Sequence, residues 1–120
     1  MTTNPTDTGE YITIEPFDGP VVVNFHGAIV ASTKHALVLK ERGYEPVFYI
    51  PKDRVEMAFL HESDHRTTCP HKGEARYWSI MAEAQAGKNA AWAYDTPHDG
   101  VASIAGHIAF DRRFVTIDAG

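Results

Sequence analysis

The sequence lacks the features that mark several specialised protein classes. It contains one cysteine, Cys69, so no intramolecular disulfide can form, and we expect a cytoplasmic location. No apolar run approaches the roughly 20 residues of a membrane-spanning helix, and residues 1–10 carry neither the basic nor the hydrophobic stretch of a secretory signal. Lys and Arg number 11 against 16 Asp and Glu, and a net charge of −5 argues against nucleic-acid coating. We therefore expect neither nucleic acid nor a membrane as a partner.

The composition that remains is that of an ordinary soluble domain. Hydrophobic residues make up 43% of the 120 residues and charged residues 22%, which argues against global disorder. A chain of this length has room for one domain. Because residues 1–10 are polar and rich in threonine, we predict a flexible N-terminal tail there and a single domain over residues 11–120.

Short apolar runs separated by turn residues predict a mainly β, antiparallel domain. The strongest hairpin signal is His26-Gly27, which lies between two apolar runs. A second hairpin is predicted around the turn Ala86-Gly87-Lys88, and a third, closing hairpin around Arg112-Arg113. The predicted strands cover residues 11–15, 21–25, 28–31, 47–50, 75–83, 89–95, 107–111 and 114–118.

One or two short helices complete the predicted fold. Ser32-Thr33 can cap a helix over residues 34–42, and Gly43 would end it. The apolar residues 37–39 fit a helix or a strand, so the alternative stays open. A second, shorter helix is predicted over residues 99–105.

The densest chemistry lies in residues 62–74, which we predict to be a polar loop. Residues 63–76 hold Arg66, Lys72 and Arg76 against Asp64 and Glu74, a local charge of +1 in a protein of net charge −5, which predicts a pocket for an anionic group. Lys72 is the residue we expect to recognise that charge. Asp64 and His65 suggest a carboxylate that orients an imidazole, although adjacent residues of an extended chain point to opposite sides. The predicted polar contacts are Asp64, His65, Cys69, Lys72 and Arg76.

Three roles are open for Cys69. It can be a nucleophile, because a neighbouring base or cation such as His65 or Lys72 would stabilise the thiolate. It can ligate zinc together with His65 and His71, although this H-x3-C-x-H spacing has no clear fourth ligand and matches no strong zinc pattern. It can also be a small buried hydrophobe that starts a turn. We therefore predict no cofactor.

Aromatic residues follow the polar loop. Tyr77 and Trp78 come directly after it, and Trp92 and Tyr94 lie on the next predicted strand. In a hairpin centred near Gly87 the two tryptophans could face each other across adjacent strands and hold a flat ring, such as that of a nucleotide. The alternative is that these side chains pack the core. Asn89, before two alanines, leaves space for the close approach of a ligand or of another backbone.

Three motifs resemble the signature of the domain of unknown function 427 family. They are Ser63-Asp-His-x-Thr-x-Cys-Pro-x-Lys-Gly-x-Ala-x-Tyr-Trp78, Asn89-Ala-Ala-Trp-x-Tyr94 and Ile104-Ala-Gly-His-x-Ala-Phe110. Upstream, Val47-x-Tyr-x-Pro51 also matches, so that the resemblance covers nearly everything from about residue 21 onward. One departure is His71, where the family more often has an aromatic residue such as tyrosine.

The resemblance implies a β-tent-like domain of two antiparallel sheets that meet at an angle. Relatives with this fold often hold zinc through two paired-cysteine motifs, which a chain with one cysteine cannot form. Other relatives bind small heterocycles in an aromatic cage, in agreement with Trp78 and Trp92 here. A nucleotidyltransferase-like label also attaches to the family, but the sequence offers no paired carboxylates suited to Mg²⁺.

The sequence therefore predicts a domain that binds a small heterocyclic or anionic molecule. The walls of its pocket would be Tyr77, Trp78, Asn89, Trp92 and Tyr94, together with the polar contacts named above. The alternative is an enzyme of the transferase or hydrolase type, in which His65 is the general base, Cys69 the nucleophile and Asp64 the orienting carboxylate. A third hypothesis is a structural or partner-binding module. A homodimer remains open.

Overall fold

The structure, a computed structural model, describes residues 12–120 and is built almost entirely from β-strands. The predicted tail over residues 1–10, and residue 11 of the first predicted strand, lie outside the described residues. The strands are β1 (Ile12–Pro16), β2 (Val21–Phe25), β3 (Ala28–Thr33), β4 (Leu37–Glu41), β5 (Val47–Pro51), β6 (Leu60–Cys69), β7 (Gly73–Ala82), β8 (Gln85–Tyr94), β9 (His107–Phe110) and β10 (Thr116–Ala119). Within the described residues, 3₁₀ helices cover Lys52–Arg54, Met57–Phe59 and Asp99–Ile104.

The strands form two antiparallel sheets. The larger sheet has the order β1-β4-β5-β9-β8-β7-β6, and the smaller one has the order β10-β2-β3. The prediction of a mainly β, antiparallel, two-sheet fold is therefore confirmed. Within residues 12–120, no helix has the length and apolar character needed to cross a membrane.

Two clusters of buried side chains pack against the larger sheet. The cluster that we call the intersheet core joins the two sheets and includes Val21, Val23, Phe25, Val30, Ile50, Trp78, Ile80, Ala91, Ile108 and Phe110. The cluster that we call the cavity-side core comprises Ile12, Leu39, Tyr49, Ala75, Tyr94, Val101, Ile104 and Ala109. Strands β7, β8 and β9 supply residues to both clusters, because successive side chains of a strand point to opposite faces.

The His26-Gly27 hairpin is confirmed. Phe25 pairs with Ala28, so the turn has two residues, and both have positive φ, 50° and 92°. Such φ values are what a two-residue type I′ turn requires, and glycine adopts them without cost. The short helix predicted over residues 99–105 is also found, as the 3₁₀ helix Asp99–Ile104.

The helix predicted over residues 34–42 is wrong, because this segment contains strand β4. The strand pairs with β1 on one side and with β5 on the other, and Val38 and Leu39 are both buried. A strand covered on both faces carries consecutive apolar residues, which mimic a helical pattern. The Thr33 hydroxyl does accept a backbone N–H, from His35 at 2.9 Å, but it orders a turn rather than a helix.

The polar loop predicted over residues 62–74 is also wrong. Strand β6 continues to Cys69 and β7 begins at Gly73, so only the residues 70–72 form the turn between them. Because β6 is the outermost strand of the larger sheet, most of its side chains are exposed, and its composition is polar for that reason.

The closing hairpin predicted around Arg112-Arg113 does not exist. Strand β9 pairs with β5 and β8 in the larger sheet, whereas β10 pairs with β2 in the smaller one. The chain therefore crosses from one sheet to the other between these two strands. The turn predicted at Ala86-Gly87-Lys88 lies instead at Glu83-Ala84, since Ala82 pairs with Gln85.

Candidate functional site

A cavity of about 1130 Å³ opens beside the cavity-side core. Strands β4 and β5 with the turn between them form one wall, and strands β6, β7 and β8 form the other. Most of the residues that were predicted from the sequence to build a site line this cavity, namely His65, Cys69, Lys72, Tyr77, Asn89, Trp92 and Tyr94. The volume is generous for a small-molecule site, for which about 300–1,000 Å³ is usual.

An aromatic row crosses three adjacent strands on the cavity side. The ring centroids of His65 and Tyr77 are 4.6 Å apart, with an angle of 58° between the planes. Tyr77 is paired in register with Trp92 on β8, and their centroids are 6.4 Å apart at 39°. The three rings therefore form an aromatic surface along one wall of the cavity.

Trp78 lies on the opposite face of the sheet from this row, so the two tryptophans do not face each other. Trp78 pairs with Ala91 and is buried in the intersheet core. A difference of one residue in strand register places Tyr77, rather than Trp78, opposite Trp92. Trp78 is thus a core residue and does not line the cavity.

Arg76 also falls outside the cavity lining. Its guanidinium carbon lies 4.6 Å from the centroid of the Trp78 ring, and its nitrogens form ion pairs with Glu62 at 3.2 Å and with Asp95 at 2.8 Å. These contacts place it on the Trp78 side of β7.

Asp64 does not line the cavity either. It lies in an irregular stretch of β6, where the pairing register with β7 shifts between Glu62 and Arg66. Such bulges re-aim the side chains around them. Asp64 and His65 are both exposed, but the His65 ring lies in the aromatic row.

Two buried tyrosines line the deep part of the cavity. Burial raises the pKa of Tyr49 to about 12, although a hydrogen bond from the Trp92 indole acts in the opposite direction. Burial, and after it the neighbouring Tyr49 and Cys69, raise the pKa of Tyr94 well above its ordinary value. Both hydroxyls therefore keep their protons at neutral pH and can donate hydrogen bonds.

An ion pair connects the two walls. The Lys72 ammonium, in the turn between β6 and β7, lies 2.8 Å from the Glu41 carboxylate at the end of β4. The exposed fractions of the two side chains are only 13% and 16%. The same ammonium donates a long hydrogen bond, 3.7 Å, to the Cys69 sulfur. Lys72 is thus already paired with a carboxylate, and its charge is largely compensated.

Asn89 lies in a bulge of β8. Trp78 pairs with Ala91, whereas Ile80 pairs with Gly87, so β8 has two more residues than β7 between these pairs. Asn89 adopts a left-handed conformation with φ of 54°, and its backbone N–H donates to the Ser79 hydroxyl at 3.0 Å. The bulge brings Asn89 into the cavity lining.

The zinc alternative finds no support in the geometry. Among residues 12–120, no group of three or more His, Cys, Asp and Glu side chains is arranged to hold a metal ion. His65 and Cys69 do line the cavity with His71, but the His65 ring contacts Tyr77 and the Cys69 sulfur accepts a hydrogen bond from Lys72.

Several lining residues were missed by sequence reasoning. Glu41 and Tyr49 come from the segments that form β4 and β5, and the ion pair of Asp111 with Arg113 comes after β9. Tyr49 had a signal, because it is the tyrosine of the motif Val47-x-Tyr-x-Pro51. The others depend on strand pairing between distant segments, which no local pattern indicates.

The comparisons with known proteins agree with the resemblance seen in the motifs. No curated protein matches the sequence. The family described as a domain of unknown function, DUF427, matches residues 13–119, which is nearly the whole chain. The chain therefore belongs to the DUF427 family.

Proposed function

We propose that this protein binds a small, flat, uncharged heterocyclic molecule in the cavity between its two β walls. The observation that carries the proposal is the aromatic row of His65, Tyr77 and Trp92 along one wall of a cavity of about 1130 Å³. Aromatic side chains favour offset or tilted stacking with a flat ring. A largely apolar cavity with a few placed polar groups is the usual form of a ligand site.

The polar groups of the cavity favour an uncharged ligand over an anionic one. The one cation predicted to recognise charge, Lys72, is held by Glu41 at 2.8 Å. Of the other cations that line the cavity, Arg113 is held by Asp111 at 2.7 Å and Lys88 is exposed to solvent. The neutral hydroxyls of the buried tyrosines instead offer hydrogen-bond donors, which suit carbonyl oxygens or ring nitrogens of a heterocycle.

The tryptophan pair offers a direct test. A ligand stacked in the aromatic row should quench the fluorescence of Trp92, because that ring lines the cavity, whereas Trp78 is buried in the other core. We therefore expect quenching by a panel of purine and pyrimidine bases to persist in the Trp78→Phe variant and to be lost in Trp92→Phe. The Trp92→Ala variant should bind the same compounds about 5- to 150-fold more weakly, as roughly 1–3 kcal/mol per stacked base implies.

Calorimetric titration of the same compounds would separate loss of binding from loss of the fluorescence signal. Native mass spectrometry of the purified protein adds an independent view, since a co-purifying organic molecule would appear as extra mass. The proposed function is wrong if no heterocycle of the panel binds to the wild-type protein. It is also wrong if Trp92→Ala leaves every measured affinity unchanged.

The enzyme alternative stays a prediction. It requires His65 to act on Cys69, and both residues line the cavity. The polar partner of the Cys69 sulfur, however, is the ammonium of Lys72, and the His65 ring packs against Tyr77. The geometry thus favours binding over this reaction. The cytoplasmic location and the homodimer likewise remain predictions.

A further inference from the structure

We infer that Asn89 determines the specificity of the cavity by pairing with a ligand edge that carries a hydrogen-bond donor next to an acceptor. Such an edge occurs on lactams, on pyrimidinones and on aminopurines. This inference rests on the proposed function, and it narrows the ligand from any flat heterocycle to this chemical class.

The backbone around Asn89 is fixed in an unusual conformation at the cavity. Its φ of 54° is uncommon for residues other than glycine, although asparagine tolerates it better than most. The bulge in β8 is held by the hydrogen bond from the Asn89 N–H to Ser79 on β7. Trp92, three residues later on the same strand, also lines the cavity. The bulge therefore holds a carboxamide and an aromatic ring in one wall.

The carboxamide of Asn89 has no partner in the described part of the chain. Its Oδ1 atom is buried without a hydrogen bond, and the hydrogen bond to Ser79 is made by its backbone. Buried polar groups of native proteins are nearly always satisfied, so an exception at a cavity calls for an explanation. The Oδ1 atom is shielded from solvent, so it must turn towards the cavity before a ligand can reach it, and no hydrogen bond opposes that rotation about χ2.

The other acceptors in the cavity lining are less available. Glu41 is bound to Lys72, and Asp111 is held by the Arg113 guanidinium through contacts of 2.7 and 3.1 Å. Glu45 is exposed to solvent. The buried hydroxyls of Tyr49, on β5, and of Tyr94, on β8, contribute donors. A ligand N–H group that enters the cavity therefore finds an uncommitted acceptor in Asn89, besides the imidazole nitrogens of His65 and His71.

A carboxamide recognises a specific pattern because it presents one acceptor beside two donors. Asparagine side chains pair edge-on with adenine in this way, accepting from the exocyclic amino group and donating to the neighbouring ring nitrogen. The same geometry fits the adjacent N–H and C=O of a lactam. Methylation of the ligand nitrogen removes the donor but keeps the flat ring, so it isolates the contribution of Asn89.

The test measures dissociation constants of matched ligand pairs by NMR titration. The pairs are adenine with N6,N6-dimethyladenine and uracil with 1,3-dimethyluracil. The wild-type protein should bind the unmethylated member of at least one pair about tenfold more tightly or better, as one satisfied hydrogen bond implies. In Asn89→Gly this ratio should fall to near one.

Asn89→Gly is the suitable variant because glycine adopts a positive φ without cost, so the bulge should survive the loss of the side chain. The backbone hydrogen bond to Ser79 does not depend on the side chain. Circular dichroism and the urea midpoint check that the variant folds. Asn89→Asp keeps the acceptor oxygens but loses both amide donors, so it should keep the preference for the unmethylated member while it binds both members of a pair more weakly.

The possible failures are distinguishable. If both members of each pair bind equally well to the wild-type protein, or if Asn89→Gly keeps the wild-type ratio, the role of Asn89 is wrong while heterocycle binding stands. If none of the four compounds binds and none quenches Trp92, the proposed function fails and this inference fails with it.

Discussion

At the scale of residues, the partly buried ion pair between Lys72 and Glu41 should stabilise the fold more than the exposed pair beside it. Its nitrogen and oxygen are 2.8 Å apart, and the side chains are 13% and 16% exposed. The neighbouring pair of Lys40 with Glu15 has a distance of 3.8 Å and exposures of 56% and 57%. Solvent screens the attraction in the exposed pair much more than in the partly buried one, so two Lys–Glu pairs contribute differently to stability.

We predict that Lys72→Met lowers the free energy of unfolding by about 1–3 kcal/mol, because the Glu41 carboxylate is left poorly solvated and without its partner. The double variant Lys72→Met with Glu41→Gln should recover part of this loss. The measurement is urea denaturation followed by circular dichroism.

The matched control is Lys40→Met, which removes the exposed cation one residue before Glu41. It should change the free energy of unfolding by less than about 0.5 kcal/mol. Equal effects of Lys72→Met and Lys40→Met would contradict the proposed difference in screening.

Many of the residues that line the cavity can be predicted from the sequence, but the face of the sheet on which each side chain lies cannot. His65, Tyr77 and Trp92 were all expected at a site, and all line the cavity. Trp78 was expected beside them and lies on the other face, because the side of each residue follows from a strand register fixed by distant pairing. The residue types show which side chains are suited to binding, whereas the strand register and the bulges determine which of those side chains reach the cavity.

At the scale of elements, the β7–β8 hairpin has an unusual turn. Glu83 and Ala84 have φ values of 53° and 59°, which a two-residue type I′ turn requires but which side chains other than Asn, Asp and Gly adopt at a cost. The His26-Gly27 turn solves the same problem with a glycine at its second position. The β7–β8 turn therefore holds strain that a glycine would remove.

We predict that Ala84→Gly raises the free energy of unfolding by about 0.5–1 kcal/mol, because the left-handed conformation of Ala84 costs roughly 1–2 kcal/mol and the greater freedom of glycine in the unfolded chain offsets part of the gain. The complementary variant is Gly27→Ala. No atom lies within 4 Å of the position that its Cβ would take, so its effect should come from the backbone alone.

Gly27→Ala should destabilise the protein by about 1 kcal/mol. The same urea titration measures both variants. Destabilisation by Ala84→Gly, with an unchanged hairpin in NMR spectra, would show that the left-handed turn holds no strain.

The β7–β8 hairpin also shows why the sequence prediction placed its turn at the wrong residues. Gly87 is a strong turn signal, yet it lies within β8, where a Cβ would come within 3.0 Å of the Phe25 ring. Glycine is required there by the close approach of β2, and not by a turn. A local sequence pattern cannot distinguish a glycine required by a turn from one required by a neighbouring strand. For the same reason, the sequence prediction missed strand β4 and placed a hairpin after β9 that the structure lacks.

At the scale of the whole molecule, one large sheet serves two cores. On β8, Ala91 belongs to the intersheet core, whereas Tyr94 belongs to the cavity-side core and Trp92 packs against it. On β9, Ile108 and Ala109 divide in the same way.

The overall class could be predicted because alternating short strands are a property of local sequence. The division into two cores could not, because it depends on which strands become neighbours.

Because both cores share the backbone of β7, β8 and β9, we predict that they unfold together. Each core has its own tryptophan, so Trp92→Phe leaves Trp78 to report on the intersheet core, and Trp78→Phe leaves Trp92 to report on the cavity side. In each variant, the urea midpoint from tryptophan fluorescence should coincide with the midpoint from far-UV circular dichroism. Comparison within one variant removes the effect of the substitution on stability.

A Trp92 signal that changes at lower urea than the dichroism would show that the cavity wall opens separately. In that case the ligand site would be a local unit that folds on the intersheet core, and a bound heterocycle should move the early transition more than the late one.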